Sequence, residues 1–168
     1  MLNQQLEAEN VSGISPIKEI QLNLPDYLKQ PNLVLQLSEH ELSYAYYHTW
    51  AESLDQAITK AIQSDLKGLD NAQNSFSREK AATSFKANLH LNIDHFYATI
   101  NSKVVLAGSY ILVNTEGTKA LSPQYSFSFK ADIEANGYPH SVAKMRYLIN
   151  DLAQEIYIKY QALNAIQK

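Results

Sequence analysis

The chain has 168 residues, the length of one domain or of one domain with a tail, and 45% of them are hydrophobic, enough to bury a core. Charged residues make up 18%, against about 25% in a typical domain, with 13 Asn and 12 Gln in their place and a net charge of −3. This balance excludes a disordered charged chain. With no clustered Lys/Arg field, it also excludes a nucleic-acid partner.

Cysteine is absent, so there is no disulfide frame, thiolate zinc site or thiol nucleophile. No run of about 18 apolar residues marks a transmembrane helix. Met1 to Glu7 lack the basic and apolar regions of a signal peptide. The composition fits a cytosolic chain or a mature domain without its targeting segment, and does not choose between them.

Residues 1–16 carry no apolar period and read as a loose tether, leaving 17–168 as a single domain. Ile20, Leu22 and Leu24 alternate with polar residues, predicting a strand that Pro25 stops. Leu33, Leu35 and Leu37 alternate again. Ser38 to Glu41 make a turn, and Leu42, Tyr44 and Tyr46 complete a hairpin. The period then changes to helical at Leu54, Ala57, Ile58, Ala61, Ile62 and Leu66. Thr49 with Glu52, or Ser53 with Gln56, would cap its start, and Gly68 its end. A polar loop over residues 69–82 follows.

Period two returns with Ala87, Leu89, Leu91 and Ile93, slips by one residue at Asp94-His95, and resumes at Phe96, Ala98 and Ile100. A slip of one residue turns the buried face outward unless an extra residue is absorbed, which predicts a β-bulge. Val104 to Val113 is apolar on both faces and reads as a central strand. Tyr125, Phe127, Phe129, Ala131 and Ile133 add a third strand to a meander. After Gly137-Tyr138-Pro139, Val142, Met145, Ile149, Leu152 and Ile156 open a long closing helix. The fold class is α+β: a largely antiparallel sheet with two helices on one face, in the order β-ββ-α-βββ-α.

Chemistry is sparse. The five histidines (40, 48, 90, 95, 140) include no i, i+4 pair, so no metal site is expected. There is no nucleophile elbow, and five scattered glycines do not build a phosphate loop. Asp151 and Glu155 read as a solvated helix face. No catalytic residue and no cofactor are expected, and the chain reads as a non-enzyme. The one tilt in composition is aromatic. Tyr44, Tyr46, Tyr47 and Trp50 alternate sides over a short span, so at least one Tyr faces outward as a candidate interface.

Several of these residues carry a resemblance. Leu24, Pro25, Tyr27, Leu28, Pro31 and Val34, then Leu42, then Trp50, Ala51, Glu52 and Leu54 stand at the spacing of Leu-Pro-x-Tyr-Leu-x-x-Pro-x-x-Val and Trp-Ala-Glu-Pro-Leu. Downstream, Ile93 and Phe96, then Leu106, Ala107 and Tyr110, then Tyr138 to Ile156 continue the match. The chain resembles the ABC-type transport auxiliary lipoproteins (the PqiC-like family) over about residues 18–165. Ser53 stands in place of the family's Pro, and Tyr110 in place of a common Trp.

The resemblance implies a periplasmic lipoprotein anchored to the outer membrane through an N-terminal lipid. Its partners would be an MCE-domain protein of a system moving lipids between the two membranes, and further copies of itself in a homo-oligomer or ring. The same residues leave an alternative open, a soluble periplasmic carrier holding a lipid or other apolar ligand between helix and sheet.

Overall fold

The computed structural model describes residues 16–74, 86–135 and 137–166. Its elements are β1 (Ile17–Asn23), a 3-10 turn (Asp26–Leu28), β2 (Asn32–Ser38), β3 (Glu41–Thr49), α1 (Leu54–Asn74), β4 (Ala87–Thr99), β5 (Lys103–Val113), β6 (Tyr125–Asp132) and α2 (Tyr138–Ile166). The expected α+β order is the observed one. Residues 1–15 of the expected tether, and most of the expected loop over residues 69–82, lie outside the described residues.

The long strand β4 organises the sheet. Along one edge it pairs antiparallel with β5, which pairs antiparallel with β6. Along the other edge, β1 runs parallel to its first half, from Ile17 opposite Ala87 to Asn23 opposite Asn92. β2 then runs parallel to its last residues, with Leu35 opposite Ala98 and Gln36 opposite Thr99. Thus β1 and β2 form one interrupted strand, broken where Pro25 has no N–H to give the ladder. β3 folds back antiparallel on β2 and forms an edge of the sheet.

The bulge sits where the phase slip placed it: Ile93 faces Gly108, His95 faces Ala107, and Asp94 is left out of the ladder. The extra residue keeps Leu89, Leu91, Ile93, Phe96 and Ala98 on one buried face. Gly108 is what lets the strands close there, because a Cβ on it would stand 2.1 Å from the Asn92 carbonyl oxygen.

That face is covered by both helices. In α1, Leu54, Ile58, Ile62 and Leu66 recur every fourth residue and are all buried. In α2, Met145, Leu148, Leu152 and Ile156 form the matching stripe over Val104, Leu106 and Leu112 of β5. Each such side chain contributes about 1.5–3 kcal/mol by leaving water. Arg146 of α2 reaches Asp65 of α1 with both terminal guanidinium nitrogens, Nη1 at 2.6 Å, and ties the helices together.

Two boundaries differ from the sequence expectation. α1 does not stop at Gly68 but runs to Asn74. Nothing lies within 4 Å of a Cβ placed on Gly68, so the helix passes through it without conflict and pays only the backbone entropy of a glycine. At the other end the cap is Ser53, whose carbonyl accepts from the Ala57 N–H at 3.0 Å. Thr49 remains in β3, so its pairing with Glu52 as a capping box is not formed.

Candidate partner-binding surface

The residues singled out in the sequence fall into two groups. Pro25, Tyr27, Leu28, Pro31, Trp50, Glu52, Leu54 and Phe96 join the hairpin, α1 and the β4 bulge to one another. Tyr44, Tyr46 and Tyr47 stand exposed on β3.

Pro25 caps the 3-10 turn, its carbonyl accepting from the Leu28 N–H at 3.0 Å. The turn buries Leu28 at 1% exposure and swings Tyr27 toward β4. There the Tyr27 hydroxyl donates to the Asp94 carbonyl at 2.6 Å, the carbonyl of the bulged residue. Burial pushes the Tyr27 pKa up to about 12, partly opposed by the Phe96 backbone N–H. Phe96, the first residue past the bulge, is buried. The Pro-x-Tyr-Leu segment therefore supplies the hydrogen bond that the bulge takes from the ladder.

The Trp50 N–H donates to the Pro31 carbonyl at 2.8 Å, closing the base of the hairpin. The Trp50 ring is half-buried against the core, and Leu54 is buried at the first turn of α1. Glu52 is exposed and pairs with Lys60 of α1, eight residues further along the chain.

The three candidate interface tyrosines are all exposed, at 44% for Tyr44, 81% for Tyr46 and 88% for Tyr47. The pairing explains why. Asn32 faces Thr49 but Val34 already faces Tyr44, so β3 carries extra residues between those points and bows away from β2. Tyr46 and Tyr47 ride on this bow, ring against ring at 5.2 Å in an edge-on pair. The Asn32 amide holds its base through the Ala45 carbonyl at 3.1 Å. A water-exposed aromatic pair on a bulge contributes little to folding and is suited to a partly wet contact.

The sheet face away from the helices is only partly open, since Asn88, Tyr97 and Val113 are buried on it and the Asn88 amide donates to the Thr115 carbonyl at 3.2 Å. It carries Gln21, His90, Asn92, Ser109 and Ser126, with an amide chain from Asn23 through Asn92 to Asp94 in steps of 2.7 Å. The histidines stay dispersed, and no group of metal-ligating side chains forms among the described residues. His48 stacks on Tyr138 at 3.7 Å instead.

One sequence expectation changes in character. Glu155 is half-buried rather than solvated and accepts from the Tyr110 hydroxyl at 3.1 Å. Burial of Tyr110 and the Glu155 carboxylate raise the pKa of that phenol. The pair fixes α2 on β5. Nothing in the sequence around Glu155 signals it, since the partner is 45 residues away.

Where the sheet end meets the start of α2, a cleft of about 200 Å³ is lined by Leu35, Ala98, Ile133 and Tyr138. It is smaller than the roughly 300–1,000 Å³ usual for ligand sites. Among the described residues, no helix is long and apolar enough to cross a membrane.

Comparison with known proteins gives the surface its context. The family model for the ABC-type transport auxiliary lipoprotein component matches residues 6–157. No curated protein sequence matches. Two crystal structures share the fold. One, of an uncharacterized protein, has a TM-score of 0.67 and 20% identity over 85% of this chain and 90% of that one. The other, protein XCC0632 from Xanthomonas campestris, assigned to DUF330, has a TM-score of 0.61 and 8% identity over 83% and 81%. The family model spans the signature turn, the hairpin, the bulged strand and most of α2, and the chain belongs to the family of ABC-type transport auxiliary lipoprotein components.

Proposed function

We propose that the chain is a non-enzymatic periplasmic lipoprotein, anchored to the outer membrane through an N-terminal lipid. It serves as an auxiliary subunit of an MCE-type, ABC-linked system that moves lipids between the inner and outer membranes. The family match over residues 6–157 carries this reading. The surface chemistry agrees with it: the chain presents aromatic groups outward on β3, where they serve contact between proteins. Its partners are the MCE-domain protein of the same system and further copies of itself.

Two measurements test the proposal. Intact mass of the mature protein, made from its full-length gene, is expected to include a lipidated N-terminal cysteine. Co-purification from envelope membranes is expected to recover the MCE-domain protein of the same operon. An unmodified cytosolic product that recovers no such partner would overturn the reading.

A further inference from the structure

On the helix-free face, the end of the sheet bearing the β2–β3 and β4–β5 turns opens into a groove of about 520 Å³. It runs across strands from β2 through β4 and β5 to β6. Three strand spacings of about 4.8 Å make it roughly 14 Å wide across the strands.

Its floor mixes Tyr97, Val105 and Ala107 with His95, Thr99 and Ser128. Such a floor suits a polypeptide. An acyl chain laid on it would bury hydroxyl and imidazole groups without partners, which costs free energy. A peptide brings its own N–H and C=O groups to meet them, and apolar side chains for the rest.

The ends of the groove carry opposite charges. Glu39 stands at the β2–β3 turn and Lys130 on β6. Neither makes an ion pair with a described residue, whereas Lys103 between them is neutralised by Asp132 at 3.0 Å. Beside Glu39, the turn tips hold Leu37 and Ile100 exposed to 36% and 65%.

We propose that this groove binds an extended segment of a partner protein, with an acidic side chain against Lys130, a basic one toward its other end against Glu39, and an apolar residue over Tyr97 and Val105. The proposal rests on the auxiliary-subunit reading, which requires a protein partner but does not say where it docks.

The test is a titration of the full chain, followed by amide NMR shifts, with the probe acetyl-Glu-Ser-Leu-Ser-Lys-amide. Shifts are expected at Tyr97, Thr99, Val105 and Ser128. Replacing the probe's Glu by Gln is expected to weaken binding about fivefold, the size of a partly exposed charge pair. Lys130→Glu is expected to lose the Glu probe and gain the probe with Lys in that place, a swap that a merely structural role for Lys130 would not produce. Shifts elsewhere, equal binding of the Gln probe, or a lysophospholipid that occupies these residues while the peptide does not, would each overturn the proposal. Co-purification separates the two readings. A Lys130→Glu protein that recovers the MCE-domain partner as well as the native chain sinks the groove alone, whereas a native chain that recovers none sinks the auxiliary reading.

Discussion

Gly108→Ala is the sharpest test of the bulge at the centre of the sheet. The added Cβ would meet the Asn92 carbonyl oxygen at 2.1 Å, and the Asn92 carbonyl carbon and Ile93 Cα at 3.0 Å. All three are backbone atoms of β4, so no side chain can rotate away. Relief requires β4 and β5 to part by roughly 1 Å, to the 3.3 Å or more of a carbon–oxygen contact. That motion disturbs the pairing of Gly108 with Ile93 on one side and with Phe127 on the other. Overpacking a core usually costs about 1–3 kcal/mol. Here the cost is expected at the upper end, about 3 kcal/mol, which lowers the folded-to-unfolded ratio roughly a hundredfold at 1.4 kcal/mol per tenfold. For a chain of this size the melting temperature falls by about 6–12 °C. Gly68→Ala provides the control. It adds the same methyl group in the interior of α1 with nothing within 4 Å, and should stabilise by up to about 1 kcal/mol. Urea melts followed by circular dichroism measure both. If Gly108→Ala costs less than about 1 kcal/mol, the close approach of β4 to β5 at the bulge is wrong.

Other outcomes follow from the same geometry. Tyr27→Phe removes the hydroxyl from the Asp94 carbonyl and should cost about 1–2 kcal/mol in denaturant melts, with the amide signals near Asp94 and His95 shifted. Trp50→Ala should cost about 2 kcal/mol, below the 3–5 kcal/mol of a fully buried ring, because part of its surface remains wet. Replacing Tyr46 and Tyr47 by Ser should change stability by less than about 0.5 kcal/mol, while weakening recovery of the partner or the oligomer in co-purification and sedimentation. Burial raises the pKa of both Tyr27 and Tyr160 from 10.0 to about 12. The folded state therefore holds these protons more tightly than the unfolded chain. Their contribution is complete below pH 10 and is lost as pH rises toward 12, so the urea midpoint should fall steadily over that window. A midpoint that stays level, or phenolate absorbance that rises before unfolding, would count against burial of these rings.

Local chemistry in the chain was sufficient for the elements themselves. Period-two alternation located β1 to β4 and β6, a run apolar on both faces located β5, the one-residue slip at Asp94 located the bulge, and apolar residues three and four apart located both helices, because each signal comes from neighbours on a single element. It misled where a single residue was asked to stop an element, and at Ile100, which continues the alternation but lies past the end of β4 and is exposed. Gly68 permits a helix end but does not compel one, and packing of Leu66 and its stripe carries α1 onward. The exposure of Tyr46 and Tyr47 was half legible: alternation showed that some ring must face out, but the uneven pairing of β3 with β2 decided which. What no local pattern held was the long-range pairing. That β1 and β2 share an edge of β4, that Tyr27 reaches a carbonyl 67 residues away, and that Glu155 holds Tyr110 rather than facing water are consequences of closing the sheet under two helices. Such contacts are chosen by the joint burial of the core and by the demand that each buried polar group find a partner, and these conditions exist only once the chain is folded.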